Sequence, residues 1–391
     1  MDKLDVPKRL LLGPGPSPVP ERVRHAMAKP LLGHMDSAFL TIVDNVQDKL
    51  RTVFGTQNPL TFPVSGTGSA GMETSLVNLT EPGDVVVVVE QGVFGQRLAD
   101  AAGRLGAKVV SIKVPFGETC TLETLEHTLN EHSAVKLVAV VKAETSTGVL
   151  QPLNGWADRV HNRGALLLVD AVTALGGLPV EVDAMGLDVV FSGTQKCLAA
   201  PPGLAPMTVG RRALDRINRR KIPVSSWYFD LAAIGRYLGQ ARAYHHTAPI
   251  SMFYALDEAL SLIIEEGLEE TWARHRAVAS SLWAGLDAMG LKLMVPEEHR
   301  LPTVTTVQVP EGVDDGRLRA YLLDHYNIEI AGGLGPWAGK IWRIGVMGQG
   351  AQVSHMMTLI MALREALDDQ GVSVPSGLSA LQDSYRKRGR G

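Results

Sequence analysis

The sequence predicts an α/β fold, with a large domain whose mainly parallel sheet is covered by helices on both faces and a smaller C-terminal α/β domain. Three observations carry this expectation. Between about residues 60 and 210, short apolar runs alternate with helical stretches, the pattern of strands that cross over to lie parallel. Val85 to Val89 and Ala165 to Val169 are apolar at every position, and Lys136 to Val141 and Leu187 to Val190 are apolar except at Lys136 and Asp188, so both sheet faces are buried. After residue 250, two long amphipathic segments lead into shorter strand and helix patterns. At 391 residues, 45% apolar and 20% charged, the chain is too long for one small core and can bury a sizeable interior. The expected division is an extended N-terminal arm over residues 1–22, a large domain over 23–265 and a small domain over 266–391.

Composition removes several function classes. A net charge of −3 gives no electrostatic case for nucleic acid or a membrane surface. No run approaches the roughly 18 apolar residues of a membrane span, and Met1 to Arg9 mixes charges of both signs without a signal-peptide core, so a cytoplasmic protein is expected. Cys120 and Cys197 are too few for a disulfide framework or a cysteine metal cluster and favour a reducing compartment. The adjacent His245 and His246 lack a third ligand at useful spacing, and no metal is expected. Arg211 to Lys221 reads as a basic helix with a solvated face, because no aromatic residues interleave the charges.

Taken in order, Arg9 to Pro20 holds Gly13-Pro14-Gly15-Pro16, where proline and glycine exclude regular structure. Between Ala38 and Phe54, Phe39, Ile42, Val43, Val46, Leu50 and Val53 recur at three- and four-residue spacing, an amphipathic helix. Thr61 to Val64 is a short strand that meets a glycine turn and a helix running to about Leu79. The free amides around Gly68 and Ser69 then form a phosphate site. Gly66-x-Gly68-x-x-Gly71, with Glu90 closing the next strand, also fits a dinucleotide fingerprint, so a dinucleotide-binding oxidoreductase stands as the alternative from another class.

Phe94 follows the valine run at a strand-to-helix turn, where an aromatic ring either stacks on a planar ligand or fills core space. In Glu144-Thr145-Ser146-Thr147-Gly148 the hydroxyls either contact a ligand or serve as turn residues. Asp170 ends the apolar run Ala165 to Val169, the pattern of a central parallel strand that stops at a functional edge, with Val172 two residues beyond. Lys196 sits in Ser192-Gly193-Thr194-Gln195-Lys196-Cys197-Leu198-Ala199-Ala200-Pro201-Pro202-Gly203, a loop between two strands. Held among small apolar residues, a lysine loses hydration and its free amine becomes available toward carbonyls. Phe94, Thr145, Asp170 and Lys196 each fall at the end of a strand pattern, and so converge on one sheet edge. A lysine for an imine and an acid for a ring nitrogen are the two requirements of pyridoxal phosphate.

The C-terminal third reads as a helix over Met252 to Glu266 with Leu256, Leu260, Ile263 and Ile264 on its apolar side, and a second helix over Leu268 to Met289. Strands are expected over Thr303 to Val309 and Ile328 to Ile330, with helices over Gly316 to His325 and Val353 to Leu367. Arg343, flanked by Trp342 and Ile344, needs an anionic partner, either a substrate carboxylate or a structural ion pair. Ser384 to Gly391, rich in Arg and Gly, reads as a disordered tail.

Asp170-Ala171-Val172 together with Ser192-Gly193-Thr194-Gln195-Lys196 and Ala200-Pro201-Pro202-Gly203 resembles the class V aminotransferases of pyridoxal-phosphate fold type I, in the alanine–glyoxylate and serine–glyoxylate branch. The resemblance runs from the Gly13 turn to Gly348. It implies transamination from alanine or serine to glyoxylate or a similar small 2-oxo acid, with Lys196 as the imine-forming lysine and Asp170 as the acid on the ring nitrogen. It also implies that Phe94 stacks on the ring where relatives often carry Trp, with Val172 near the opposite face, and that Thr145 meets the ring's phenolic oxygen. Gly68, Ser69 and Gln195 would serve the phosphate, Arg343 the substrate carboxylate, and the turn at Gly15 would border the site. A homodimer with shared sites follows from the same resemblance, with the arm crossing to the partner and Tyr244 and Thr247 reaching the neighbouring phosphate. Lyases share the fold, among them cysteine desulfurases, but Cys197 beside the lysine points elsewhere on an extended backbone.

Overall fold

The computed structural model describes residues 4–239 and 241–388. Its strands are β1 (Leu10–Leu11), β2 (Leu60–Ser65), β3 (Val85–Glu90), β4 (Lys108–Lys113), β5 (Val135–Val141), β6 (Ala143–Glu144), β7 (Val149–Leu150), β8 (Leu166–Asp170), β9 (Val189–Phe191), β10 (Leu204–Val209), β11 (Val304–Gln308), β12 (Ile328–Glu329), β13 (Ala331–Gly332) and β14 (Ile341–Gly345). Its helices are α1 (Glu21–Met27), α2 (Ser37–Phe54), α3 (Gly68–Leu79), α4 (Val93–Arg104), α5 (Leu122–Glu131), α6 (Trp156–His161), α7 (Arg211–Asn218), α8 (Leu231–Leu238), α9 (Ile250–Glu266), α10 (Leu268–Ala288), α11 (Asp315–Tyr326), α12 (Val353–Asp368) and α13 (Leu378–Arg388).

Seven strands form the central sheet in the order β2-β10-β9-β8-β5-β3-β4, and every neighbouring pair is parallel except those made by β10. Val86 to Val89, Leu137 to Val140 and Leu167 to Val169 are fully buried, as continuous apolar runs between two helical layers must be. Gly71 lets α3 lie close on the sheet, since a Cβ there would press on the Cβ atoms of Phe191 and Ala205 at 3.1 and 3.2 Å. On the outer side Phe39 of α2 meets Phe253 of α9 edge-on, with ring centroids 5.5 Å apart.

A second core lies among α10, α11, α12, α13 and the antiparallel sheet β11-β14-β13, with Trp342, Leu363 and Leu381 at its centre. Gly267 at φ +91° joins α9 to α10 between the two cores. Leu12 belongs to this second core, because β1 pairs in parallel with β12 of the same chain. Leu10 to Leu12 of the arm are thus anchored on the chain's own C-terminal unit.

Three expectations need correction. Ile264 is 39% exposed while Leu256, Leu260 and Ile263 are buried. On a helix it lies about 80° round from Leu256, outside the stripe that the other three share. The basic run is only partly solvated. Arg216 donates to the Leu79 carbonyl at 3.0 Å and Arg220 to those of Asn78 and Thr80 at 2.8 and 2.9 Å, so these side chains satisfy the last carbonyls of α3. The chain end is helical: α13 continues to Arg388 because Leu381 packs against Gly285 of α10, and only 389–391 of the expected tail lie outside the described residues.

Candidate active site

At the carboxyl edge of the sheet a pocket of about 180 Å³ opens between the start of α3 and the β9–β10 loop. Gly68, Ser69, Phe94, Thr145, Asp170, Val172, Gln195 and Lys196 all line it, so eight residues from five chain segments meet at one place. This is where a doubly covered parallel sheet leaves room, because the crossover connections part beyond its strand ends.

Lys196 lies on the loop that turns β9 back into the antiparallel β10. The Thr194 hydroxyl closes that loop on the Pro201 carbonyl at 2.6 Å, and Ser192 ties it to the Ala171 carbonyl at 3.1 Å. The arm holds it from outside, as Ser17 donates its amide to the Gln195 carbonyl at 2.8 Å and its hydroxyl to the Lys196 carbonyl at 2.6 Å. The lysine Nζ donates to the Pro14 carbonyl. Gly15, at φ +105°, is required here by both conformation and space, since a Cβ would collide with the Lys196 side chain. Burial is the main cause that lowers the Lys196 ammonium to a pKa of about 8, with a smaller push from Arg343.

Asp170 closes β8, and one of its oxygens accepts from the Val172 amide at 2.8 Å. Burial pushes its carboxyl up to about 7, against that hydrogen bond and the nearby Lys196 charge, with Glu144 adding a further upward push. Glu144 is itself fully buried and holds the turn that carries Phe94. It accepts from the Phe94 and Gly95 amides at 3.1 and 3.2 Å and from the Ser146 amide at 3.0 Å, while Ser146 takes the Val93 amide at 2.9 Å. Glu144 and Ser146 therefore cap α4 and fix the ring, a role that their place in a turn-rich stretch did not reveal. Gly92 makes this possible, because a Cβ there would strike both side chains.

At the other end of the pocket α3 begins at Gly68 with no side chain capping its amides, and the buried Gln195 carboxamide oxygen meets no donor. Gly68 packs on Val172, whose Cγ2 would lie 3.1 Å from an added Cβ, so any side chain there would crowd Val172. Met72, Arg97, Thr173 and Phe191 also line the pocket and were not foreseen. Arg97 had one legible signal, its i+3 spacing from Phe94, and its guanidinium lies over that ring at 4.9 Å from the centroid.

Gly15, against the Lys196 side chain, and Arg343, Tyr244 and Thr247 stand outside the lining. Arg343 is buried in the central strand β14, its Nε donating to the Gly332 carbonyl at 2.8 Å and Nη1 to the Thr145 carbonyl at 3.3 Å. Among the described residues it has no carboxylate partner, and burial lowers its pKa. Tyr244 is 62% exposed and Thr247 is exposed, so neither reaches the pocket of its own chain. Glu90 accepts from Ser111 outside the pocket, which leaves the dinucleotide alternative without its ribose acid. Cys197 is buried, donates to the Thr173 carbonyl and has its thiol pushed up to about 12 by burial, so it offers no thiolate for a desulfurase. Among the described residues no group of three or more His, Cys, Asp or Glu is placed to hold a metal ion, and no helix is long and apolar enough to cross a membrane.

Comparison with known proteins places the chain in a family. The family described as aminotransferase class-V matches residues 10–340. The alanine–glyoxylate aminotransferase of Rattus norvegicus is 44% identical over 368 residues, which cover 93% of this chain and 89% of the relative. The crystal structure of an alanine–glyoxylate aminotransferase from Nostoc sp. superposes with a TM-score of 0.92 at 48% identity, covering 94% of this chain and 97% of the other. That of the ureidoglycine–glyoxylate aminotransferase from Bacillus subtilis superposes at 0.96 with 38% identity, covering 98% and 100%.

Proposed function

The chain belongs to the class-V aminotransferases, and on that footing we propose that it uses pyridoxal 5′-phosphate to move the amino group of alanine or serine to glyoxylate. The observation that carries the reading is the pairing of Lys196 and Asp170 in one small pocket, each with its charged form disfavoured by burial. Both relatives compared by structure are named for glyoxylate, while their donors differ, so the acceptor is better supported than the donor.

The residues present fit the cofactor. Uncapped amides at Gly68 and Ser69 and the NH2 group of the Gln195 carboxamide suit a phosphate, Asp170 suits a protonated ring nitrogen, Thr145 a phenolic oxygen, and Phe94 with Val172 the two ring faces. When bound, the cofactor supplies an electron-poor ring that withdraws electrons from the substrate Cα. Asp170 holds the ring-nitrogen proton, which a neighbouring carboxylate stabilises. Lys196 Nζ would serve as the general base that takes the Cα proton and as the general acid that gives a proton back. Arg343 orients the substrate carboxylate with the N–H groups not engaged by Gly332 and Thr145. The decisive experiment incubates pure protein with glyoxylate and a panel of donors. Glycine formed with pyruvate or hydroxypyruvate supports the reading, and no glycine from any donor ends it.

Two expected results follow for the chemistry. Roughly a tenth of Lys196 is free amine at pH 7 if its pKa is about 8. Cofactor uptake by the apoprotein should therefore rise about tenfold per pH unit below pH 8 and level off above it. Uptake that is flat with pH would contradict the assignment of Lys196. For the second, Arg343→Lys keeps the charge but loses the planar fork, and should weaken both amino-acid and oxo-acid binding by about 1.5–3 kcal/mol with a smaller change in kcat. Unchanged KM values for both substrates would remove Arg343 from the site.

The exposure of Tyr244 and Thr247 supports a homodimer in which each serves the other chain's phosphate. Chains carrying Lys196→Ala, Tyr244→Phe and Thr247→Ala are mixed with wild-type chains to form hybrids. The one lysine-bearing site of each hybrid then receives donors only from the altered partner. Shared sites predict at least about tenfold weaker cofactor retention there. Wild-type retention in the hybrid would place the donors within their own chain.

A further inference from the structure

Behind the cofactor pocket a second cleft of about 330 Å³ opens between the large domain and the C-terminal unit, with Lys142, Leu150 and Leu178 on one side and Arg276, Trp283 and Arg300 on the other. Val141, Ala143 and Thr145 line the cofactor pocket, and Lys142, falling between them in an extended segment, faces the opposite way. Lys142 is 6% exposed, and burial lowers its pKa. Among the described residues its ammonium has no hydrogen-bond or ion-pair partner, and the charge acting on it is that of the exposed Glu181. The stem is buried while the amine opens into the cleft without a protein partner, so an anion in the cleft can pair with it.

The rest of the cleft is built to the same end. Arg300 donates only its Nε, to the Val295 carbonyl at 2.9 Å, and its guanidinium lies over the Trp283 ring at 5.6 Å from the centroid, which leaves its outer nitrogens without protein acceptors among the described residues. Arg276 makes no ion pair among the described residues and is exposed. Glu297 and Glu298, both exposed, complete the charged lining, so three cations face two carboxylates. Leu150, Leu178 and Trp283 add apolar walls that suit carbon rather than a hydrated inorganic ion.

We propose that this cleft is a second ligand site, separate from the catalytic one, that binds a compact organic anion: a carboxylate on an apolar body, with the carboxylate on Lys142 and Arg300 and the body against Trp283. The ligand would sit one residue from the cofactor pocket wall, since the Lys142 amide donates to the Asp170 carbonyl at 2.9 Å.

Benzoate serves as the probe, by equilibrium dialysis of the labelled anion against holoenzyme. Lys142→Met, which keeps the side-chain length and removes the amine, should weaken one class of benzoate site at least tenfold. Arg343→Lys should leave that class intact, which separates it from carboxylate binding at the catalytic site. Glu297→Gln with Glu298→Gln should tighten it by removing the competing carboxylates. Benzoate should raise the melting temperature of the wild type but not of Lys142→Met. If Lys142→Met fails to fold, Arg276→Gln with Arg300→Gln, on exposed or half-buried side chains, is expected to show the same tenfold loss. Benzoate binding unchanged in these variants overturns the proposal. Sulfate occupying the cleft while benzoate does not would equally overturn it, by replacing an organic carboxylate with a plain inorganic anion.

Discussion

Lys196→Ala should lower turnover by about 10⁴-fold or more, because one side chain both anchors the cofactor and moves the Cα proton, and each role alone is worth orders of magnitude. The fold should survive. The amine is partly buried with a lowered pKa and makes one hydrogen bond, to the Pro14 carbonyl, while the loop around it is held by Thr194, Ser192 and Ser17. Two measurements separate a catalytic loss from a structural one. Thermal unfolding of the variant should match the wild-type apoprotein, and a small primary amine such as methylamine in the assay should restore part of the rate by standing in for Nζ. Borohydride treatment of the wild type, followed by peptide mass analysis, should find the cofactor on Lys196 and nowhere else. Wild-type turnover in the alanine variant would end the assignment.

How much of this site was legible follows from how local each signal is. Asp170 is marked by its own run of apolar residues, and Lys196 by the small and cyclic residues beside it, so one segment suffices to raise each. The central sheet was legible for the same reason, since Val85 to Val89 fits only a strand buried on both faces. What failed depends on which way a side chain turns. Arg97 and Met72 reach the pocket through helical phase, Ile264 misses its stripe by the same phase, and Glu144 matters through amides some fifty residues away. The collision that excludes any side chain at Gly15 is set by a lysine far along the chain, and only the resemblance brought that turn to the site. The tail was misread because composition alone weighs Arg and Gly without asking whether a residue such as Leu381 has a groove to fill.

Asp170→Asn is the substitution that should harm function while helping the apoprotein. An amide cannot hold a proton on the ring nitrogen as a carboxylate does, so turnover should fall by on the order of 10²–10³-fold, the usual cost of removing one preorganised electrostatic partner. The apoprotein is affected in the opposite direction. Its Asp170 carboxyl is raised by burial to about 7 from the usual aspartate value of 3.8, so the folded state binds a proton that the unfolded chain has already released. The stability that this proton gives is fully present below about pH 4 and is lost as pH rises through about 7. Wild-type apoprotein should therefore lose a few kcal/mol of stability between pH 4 and pH 7 from this group, while the asparagine variant should not. That window also lies below the pKa of about 8 for Lys196, whose own release of a proton would otherwise oppose the trend. Melting curves of both apoproteins at several pH values across it, taken beside kcat for the reconstituted enzymes, read both effects. A variant that loses activity and stability together across that range would make Asp170 a structural residue. One that keeps its stability towards pH 7, where the wild type loses it, while losing turnover shows a carboxylate kept buried at a cost to the apoprotein because the bound cofactor needs its charge.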